Sequence, residues 1–370
     1  MKKIAILGAS YLQQPLVEKA KEMGVETHCF AWDNEQAVCK GIADYFYPIS
    51  VLDKELILEK CVELNIDGIT TISTDICMPS IAYVADKMNL ISNTIESGLK
   101  STNKFLMRSC FERNGISVPK YATLESLDLD AIRNFNYPII LKPTDRSGSK
   151  GITKVDNKNG VKSAFSDAIN ESIEKKAIVE EFIEGKEISV ECISWEGKHQ
   201  LITITDKITT NAPYFVELEH HQPAKIDKDL WQKIEDQTYK ALDALGVEYG
   251  ASHSEFKITV QNELYIIEVG ARMGGDFIGS HLVPLSTGYD FLKAVIQIAL
   301  NTFEQPNVCQ KKHAGIFFLS EETKRLLPYF KETSKYITER KRTSNSLKSI
   351  RNSNDRSGYL IYQSDHKIKL

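Results

Sequence analysis

The run Ser254-Glu255-Phe256-Lys257-Ile258-Thr259-Val260-Gln261-Asn262-Glu263-Leu264-Tyr265-Ile266-Ile267-Glu268-Val269-Gly270-Ala271-Arg272-Met273-Gly274-Gly275 reads as two strands and the loop that leaves them. Ala251–Val260 and Leu264–Glu268 are the strands, and Gln261-Asn262 between them is turn chemistry. A hairpin turned there sets Glu255 and Glu268 nearly opposite one another. Two carboxylates so placed repel unless a cation lies between them, and magnesium with phosphate oxygens suits such hard ligands. Arg272, four residues past Glu268, can reach a transferring phosphoryl group. The competing reading is a pair of solvated edge carboxylates.

Working outward, Asp227–Leu245 has the spacing of a long amphipathic helix. Before it, strands follow closely: Ile139–Leu141, Ile178–Glu181, Glu187–Ile193 and Gln200–Thr205, with a hairpin at Trp195-Glu196-Gly197 and one helix over Val161–Asn170. From about Tyr121 the chain is therefore mostly antiparallel α+β. The first hundred residues differ. Strands at Lys3–Leu7, Val25–Trp32, Tyr45–Tyr47 and Gly68–Ile72 alternate with helices at Leu16–Met23, Lys54–Leu64 and Ile81–Met88, which predicts a parallel sheet with crossover connections. Lys104–Asn114 and Asp290–Leu300 are further helices. The last sixty residues are basic and polar from Lys335 to Arg356 and close on a strand, Gly358–Tyr362. The expected fold class is α/β plus α+β, multidomain, divided at 1–102, 103–206 (with a lid over about 121–180), 207–305 and 306–370.

The bulk numbers exclude several classes. At 370 residues with 42% apolar and 26% charged residues, the chain has a sizeable core, and a net charge of −4 offers no basic field for nucleic acid. No apolar run approaches the roughly 18 residues of a membrane span. Met1-Lys2-Lys3-Ile4-Ala5-Ile6-Leu7-Gly8 reads as a first strand, because its apolar run is too short for a signal peptide. Seven cysteines without a CxxC pair fit reduced thiols in the cytoplasm.

Two further segments carry chemistry. In Tyr137-Pro138-Ile139-Ile140-Leu141-Lys142-Pro143 a strand delivers one lysine at its end, and Ser147-Gly148-Ser149-Lys150-Gly151 follows as a flexible loop. A polyphosphate needs a fixed cation and N–H groups that approach without Cβ obstruction, though a surface hairpin with an incidental lysine reads the same way. In Ile178-Val179-Glu180-Glu181-Phe182-Ile183-Glu184-Gly185-Lys186-Glu187, backbone groups around Glu181 and Ile183 can read an adenine edge and Glu187 can accept a ribose hydroxyl. A solvated acidic turn is the alternative. His220 and His221, adjacent on an extended chain, point to opposite faces and cannot share one ion. His253 reads as a structural histidine. Gly8-Ala9-Ser10 hints at a dinucleotide turn and a nicotinamide oxidoreductase, but the GxGxxG fingerprint is missing.

In this order and spacing the segments resemble the ATP-grasp superfamily over roughly residues 1–300, with an N-terminal pre-ATP-grasp domain and a central, a catalytic and a C-terminal part. The carboxylate–amine ligases of the L-amino acid type look most similar, through Glu268-Val-Gly-Ala-Arg-Met-Gly-Gly275. The resemblance implies Lys104 and Lys142 on the ATP phosphates and Ser147, Gly148, Ser149 and Gly151 in the phosphate-covering loop. It also implies Glu180, Glu181 and Ile183 at the adenine, Glu187 at the ribose, Glu255 and Glu268 on magnesium (manganese serving equally), and Arg272 beside the γ-phosphate. Phe215-Val216-Glu217-Leu218-Glu219-His220 resembles a substrate-side loop, which brings in His220. Asp276 reads either as the carboxylate for a substrate ammonium or as a helix N-cap. Where many relatives carry Asn two residues past the second glutamate, this chain has Gly270. The implied activity is ATP-dependent joining of a carboxylate to an amine through an acyl phosphate. A bicarbonate-using carboxylase or carbamoyl-phosphate-type enzyme, and a non-catalytic ATP-binding module, are the rivals. The implied partners are small-molecule substrates. Many relatives dimerise, and a homodimer is compatible with this chain although no segment forces one.

Overall fold

The computed structural model describes residues 1–370 except 211, 307, 332 and 333, and its elements are those of the described residues. The N-terminal unit has strands β1 (Lys3–Leu7), β2 (Glu26–Phe30), β3 (Tyr45–Tyr47) and β4 (Gly68–Thr70), with helices α1 (Gln14–Glu22), α2 (Lys54–Leu64) and α3 (Met78–Met88) between and after them. The sheet runs β3-β2-β1-β4 and its pairings are parallel. The expected α/β alternation is present. The loop after β1 is closed by its own glutamine: Gln13 Oε1 accepts from Ser10 N–H (3.1 Å) and Ser10 O–H (2.8 Å), and Gln13 Nε2 reaches the carbonyl of Ile72. The Ser10 donors are thus satisfied within the loop, and Gln13 ties it to the chain just past β4.

Helices α4 (Ile95–Lys100) and α5 (Lys104–Arg113) lead into a small antiparallel sheet of β5 (Tyr121–Leu124), β6 (Ile139–Pro143), β7 (Thr153–Val155) and β8 (Ala177–Glu181), ordered β5-β8-β6-β7 and backed by α6 (Val161–Glu171). The Asn103 side chain caps α5 by accepting from the N–H groups of Phe105 and Leu106, which fixes where Lys104 sits.

The largest layer is an antiparallel sheet of β9 (Lys186–Trp195), β10 (Lys198–Thr209), β11 (Glu217–Gln222), β12 (Gly250–Ile258), β13 (Leu264–Gly270), β14 (His313–Leu319), β15 (Ile337–Arg342) and β16 (Gly358–Ser364). Its order is β13-β12-β9-β10-β11-β14-β16-β15, so the C-terminal strands continue the same sheet. Two differences from the sequence reading stand out. Glu217–Gln222 is an interior strand and not a loop, because β10 and β14 pair with it on both sides. The stretch after residue 306 supplies three strands where only Gly358–Tyr362 was expected.

Helix α7 (Lys228–Leu245) covers one face of this sheet. Asp227 caps its start, Gly246 (φ 70°) ends it, and Leu230, Ile234, Ala241, Leu242 and Leu245 pack on Ile188, Val190, Cys192, Ile204, Phe256 and Ile258. The short α8 (Val283–Thr287) and the apolar α9 (Phe291–Ala299) follow β13, and α9 packs against α1 of the N-terminal unit. No helix among the described residues is long and apolar enough to cross a membrane. The seven cysteines are free thiols, six of them buried.

Candidate active site

Strands β9, β10 and β12 alternate, and the side that does not meet α7 is polar. Residues directly opposite on paired strands share a face, so the register assigns it. Glu255 pairs with Glu268 on one side and Ser189 on the other, His253 with Glu191, and both Lys207 and Lys257 with Glu187. The two expected metal carboxylates therefore project from adjacent strands toward one space.

Each of these charges has a partner. Lys207, deep in the sheet, forms an ion pair with Glu255 and lies 3.5 Å from Glu217. Lys257 meets Glu187 at 2.5 Å, and Lys104 meets Glu268 at 2.7 Å. His253 sits between Glu191, which is fully buried, and Glu255 at 3.3 Å. Burial opposes a charge on His253, but the pull of Glu191 and then Glu255 wins and raises its pKa to about 9. Burial likewise opposes ionisation of Glu255, and Lys207 with His253 overrides it, holding the carboxyl well below its usual range. His253 thus joins Lys207 in keeping Glu255 charged.

Strands β6 and β8 of the small sheet bring Lys142 and Glu180 to the same cleft. The resemblance set Glu180 at the adenine hinge; its carboxylate is buried between two cations, Lys142 at 2.7 Å and Arg108 at 2.8 Å. Glu181 N–H is spent on Lys120 carbonyl and Phe182 N–H on Pro138 carbonyl, so Ile183 is the first residue beyond the ladder. In the loop after β6, Gly148 (φ 70°), Ser149 (φ 58°) and Gly151 (φ 67°) all take left-handed conformations, and a Cβ at Gly148 would meet open space. Ser147 lies on the half-buried approach to it.

One cleft of about 790 Å³, part of it open to solvent, is lined by Lys142, Ser149, Glu180, Glu181, Ile183, Glu187 and Glu255 from the expected set. Phe182, Phe215, Ile140 and Ile152 add an apolar wall. Phe182 and Phe215, from the hinge and from the loop before β11, stand 5.8 Å apart. Lys104, on α5, pairs with Glu268, the cross-strand partner of the cleft residue Glu255.

Arg272 lies two residues past the end of β13, where Asp75 from the N-terminal unit grips its Nη2 at 2.6 Å and Glu268 and Glu191 act on its charge. The Asp75 carboxylate explains Gly270. A Cβ there would run into Asp75 Oδ1 and come within 2.9 Å of Arg272 Cζ. A Cβ at Gly274 would meet His253 Nδ1 at 2.7 Å and Glu191 at 2.8 Å, so both glycines mark close approach of charged side chains.

Asp276 is not a helix cap. The capping position of the next helical turn is Phe277, with no side-chain bond, and Asp276 Oδ2 pairs with Arg356 Nη2 at 2.9 Å. Arg356 also reaches Glu217 at 3.1 Å and stacks 3.7 Å from the Phe318 ring centre. Burial opposes the charge on Asp276, and Arg356 and then His220 hold its pKa far below normal. His220 is fully buried, its ring 3.8 Å from Asp276, and neither ring nitrogen has a hydrogen-bond partner among the described residues. His221 points the other way, to Glu219 and the Tyr362 hydroxyl.

Sequence reading missed Arg108, Glu191, Lys207, Asp75 and Arg356. Arg108 had a local signal, four residues after Lys104 and hence on the same helix face. Glu191 had one too, in step with Glu187 and Ser189. The other three come from distant chain segments.

Residues 135–280 match the ATP-grasp domain family. The alanine–anticapsin ligase of Bacillus subtilis is 26% identical over 313 residues, covering 74% of this chain but only 65% of that relative. The crystal structure of an L-amino acid ligase from Bacillus licheniformis superposes with a TM-score of 0.82 at 21% identity, covering 99% of this chain and 94% of the other. N5-carboxyaminoimidazole synthetase from Staphylococcus aureus, solved with ADP, gives 0.80 at 19% identity over 99% and 94%. The fold expected from the motifs is the fold found.

Proposed function

Because this chain carries an ATP-grasp domain on an ATP-grasp fold, we propose that it is an ATP- and magnesium-dependent ligase that joins a carboxylate to an amine, releasing ADP and phosphate. One observation carries the reading: Glu255 and Glu268 are cross-strand partners on a polar sheet face, with Lys104 at Glu268 and Lys142 lining the same cleft. The names of the similar proteins, an amino-acid ligase among them, support the reaction class.

The donor set fits a divalent ion. Glu255 and Glu268 retain 29% and 22% side-chain exposure, and each already attracts a cation, Lys207 and Lys104. Magnesium held by these two carboxylates would neutralise phosphate oxygens of the nucleotide. On this reading Lys142 and Lys104 bind phosphates, the N–H groups of residues 147–151 cover them, Ile183 and the backbone of Glu181 meet adenine, and Glu187 accepts from ribose. A substrate carboxylate oxygen attacks the γ-phosphorus, the bond to the β,γ-bridging oxygen breaks, and ADP leaves. The amine nitrogen then attacks the acyl carbon, phosphate departs with the bonding pair, and the nitrogen loses a proton. Arg272 steadies the charge that develops on the acyl phosphate. His220 and Asp276, beside the cleft, are the expected substrate side.

Amino acids and small carboxylates, screened in pairs for phosphate release with ATP and magnesium, test the class. Pairs should raise the rate only together, and Glu268→Ala should abolish ADP formation while its circular dichroism stays that of the parent. Near-normal turnover by that variant would remove the assignment.

A further inference from the structure

Helix α5 offers two cations on one face, four residues apart, and each links β13 to the small-sheet unit, Lys104 through the loop after β6 and Arg108 through β8. Lys104 Nζ donates to the Arg146 carbonyl at the root of the lid loop (2.6 Å) and to Glu268 on β13 (2.7 Å). One turn later Arg108 repeats the pattern. Its Nη2 donates to the Ile267 carbonyl on β13 at 2.5 Å, and its Nε lies 2.8 Å from Glu180 on lid strand β8. Glu180 spends its other oxygen on Lys142, on lid strand β6, at 2.7 Å. Arg108 is wholly buried, as Glu180 and Lys142 nearly are.

We propose that Arg108 is a positioning residue for the nucleotide: through Glu180 it holds the Lys142 ammonium at a set distance from the strand that carries Glu268. The inference rests on the cleft being the ATP site. A triphosphate spanning Lys142 and Glu268 needs those two groups at fixed separation, and they belong to different sheets. Few other side chains could serve. The guanidinium is a rigid planar group, so one residue donates a hydrogen bond to a carbonyl on one sheet and keeps its charge against a carboxylate on the other, whereas a lysine offers one nitrogen. Stability alone does not single out this arrangement. Buried ion clusters contribute little beyond what apolar packing would. Here Arg108 Nη1 has no hydrogen-bond partner and the Nε–H is not aimed along its contact with Glu180.

The full-length chain and three variants, Arg108→Lys, Arg108→Met and Glu180→Gln, decide the matter by calorimetric titration with ATP and magnesium and by thermal melting. Expected is a loss of ATP affinity of tenfold or more in each, with melting within a few degrees of the parent for Arg108→Lys. The pH at which affinity fades on the alkaline side gives a readout that a merely structural role would not move. Burial lowers the Lys142 pKa, Glu180 raises it, and Arg108 and Lys104 lower it again. Glu180→Gln should therefore shift that limb to lower pH and Arg108→Met to higher pH. If Arg108→Met does not fold, Arg108→Lys and Glu180→Gln decide. Parent-like affinity and an unmoved limb in the folded variants, or affinity loss that merely tracks unfolding, overturn the proposal while leaving the ATP site standing. A parent chain that binds no ATP overturns both.

Discussion

Glu180 shares its charge with protein and not with water. Burial alone would raise its pKa, but Arg108 and then Lys142 bring it from 4.5 down to about 2. A carboxyl depressed in this way contributes stability that is complete above the unfolded value, near pH 4.5, and is lost as pH falls through about 2. The shift corresponds to about 3 kcal/mol. Urea unfolding of the parent and of Glu180→Gln should show a gap that closes as pH drops from 4.5 toward 2; a gap independent of pH would mean the charge is not what the cluster depends on. Gly270 is a second single-residue case. Its departure from the family pattern is visible in the sequence, but the reason is not, since Asp75 lies 197 positions before its partner Arg272. Gly270→Asn would restore the residue common in relatives, yet should cost about 1–3 kcal/mol by overpacking against Asp75 and Arg272. Adding Asp75→Ala should recover part of that loss in denaturant midpoint, and no recovery would mean the crowding lies elsewhere.

Strand β12 shows what an element can be made to do by alternation. Glu255 faces the cleft while Phe256, 1% exposed, faces α7 in the core. Phe256→Ala should therefore lower stability by about 3–5 kcal/mol in chemical denaturation. ATP affinity per folded molecule should fall less than stability does, because Phe256 packs in the α7 core and only borders the cleft. A large affinity loss in the folded fraction would show that the two faces are not separable. The same alternation explains what could be read in advance. The β12–β13 hairpin, α7 and the β9–β10 hairpin announce themselves by local pattern and turn residues, and with them come Glu255, Glu268 and Glu187. Strand β11 does not. Glu217-Leu218-Glu219-His220-His221-Gln222 has no apolar face, and only its pairing with β10 and β14 makes it a strand. The charged partners Lys207, Asp75 and Arg356 share that fate, since what identifies each is the residue it meets and not the residues beside it.

At the scale of the whole molecule, the site is assembled from every part of the chain. The N-terminal unit gives Asp75, α5 gives Lys104 and Arg108, the lid gives Lys142, and the large sheet gives the carboxylates. Residues beyond 306 give Arg356 and complete the sheet through β14, β15 and β16. Removing residues 306–370 would strip β14 from β11, leaving an interior strand as an unpaired edge and uncovering Ile278 and Leu282, which pack on Ala314, Ile316 and Phe318. It would also leave Asp276 and Glu217 without Arg356. The milder change, Arg356→Met, keeps the strands and removes only the cation, and breaking one partner out of a buried ion cluster costs about 3–5 kcal/mol. The full-length Arg356→Met chain should thus fold with a lowered but cooperative melt, whereas the chain ending at residue 305 should show no cooperative transition and should associate through its exposed edge in size-exclusion chromatography. A truncated chain that melts cooperatively as a monomer and binds ATP like the parent would show that the C-terminal strands are an accessory to the sheet and not part of its folding unit.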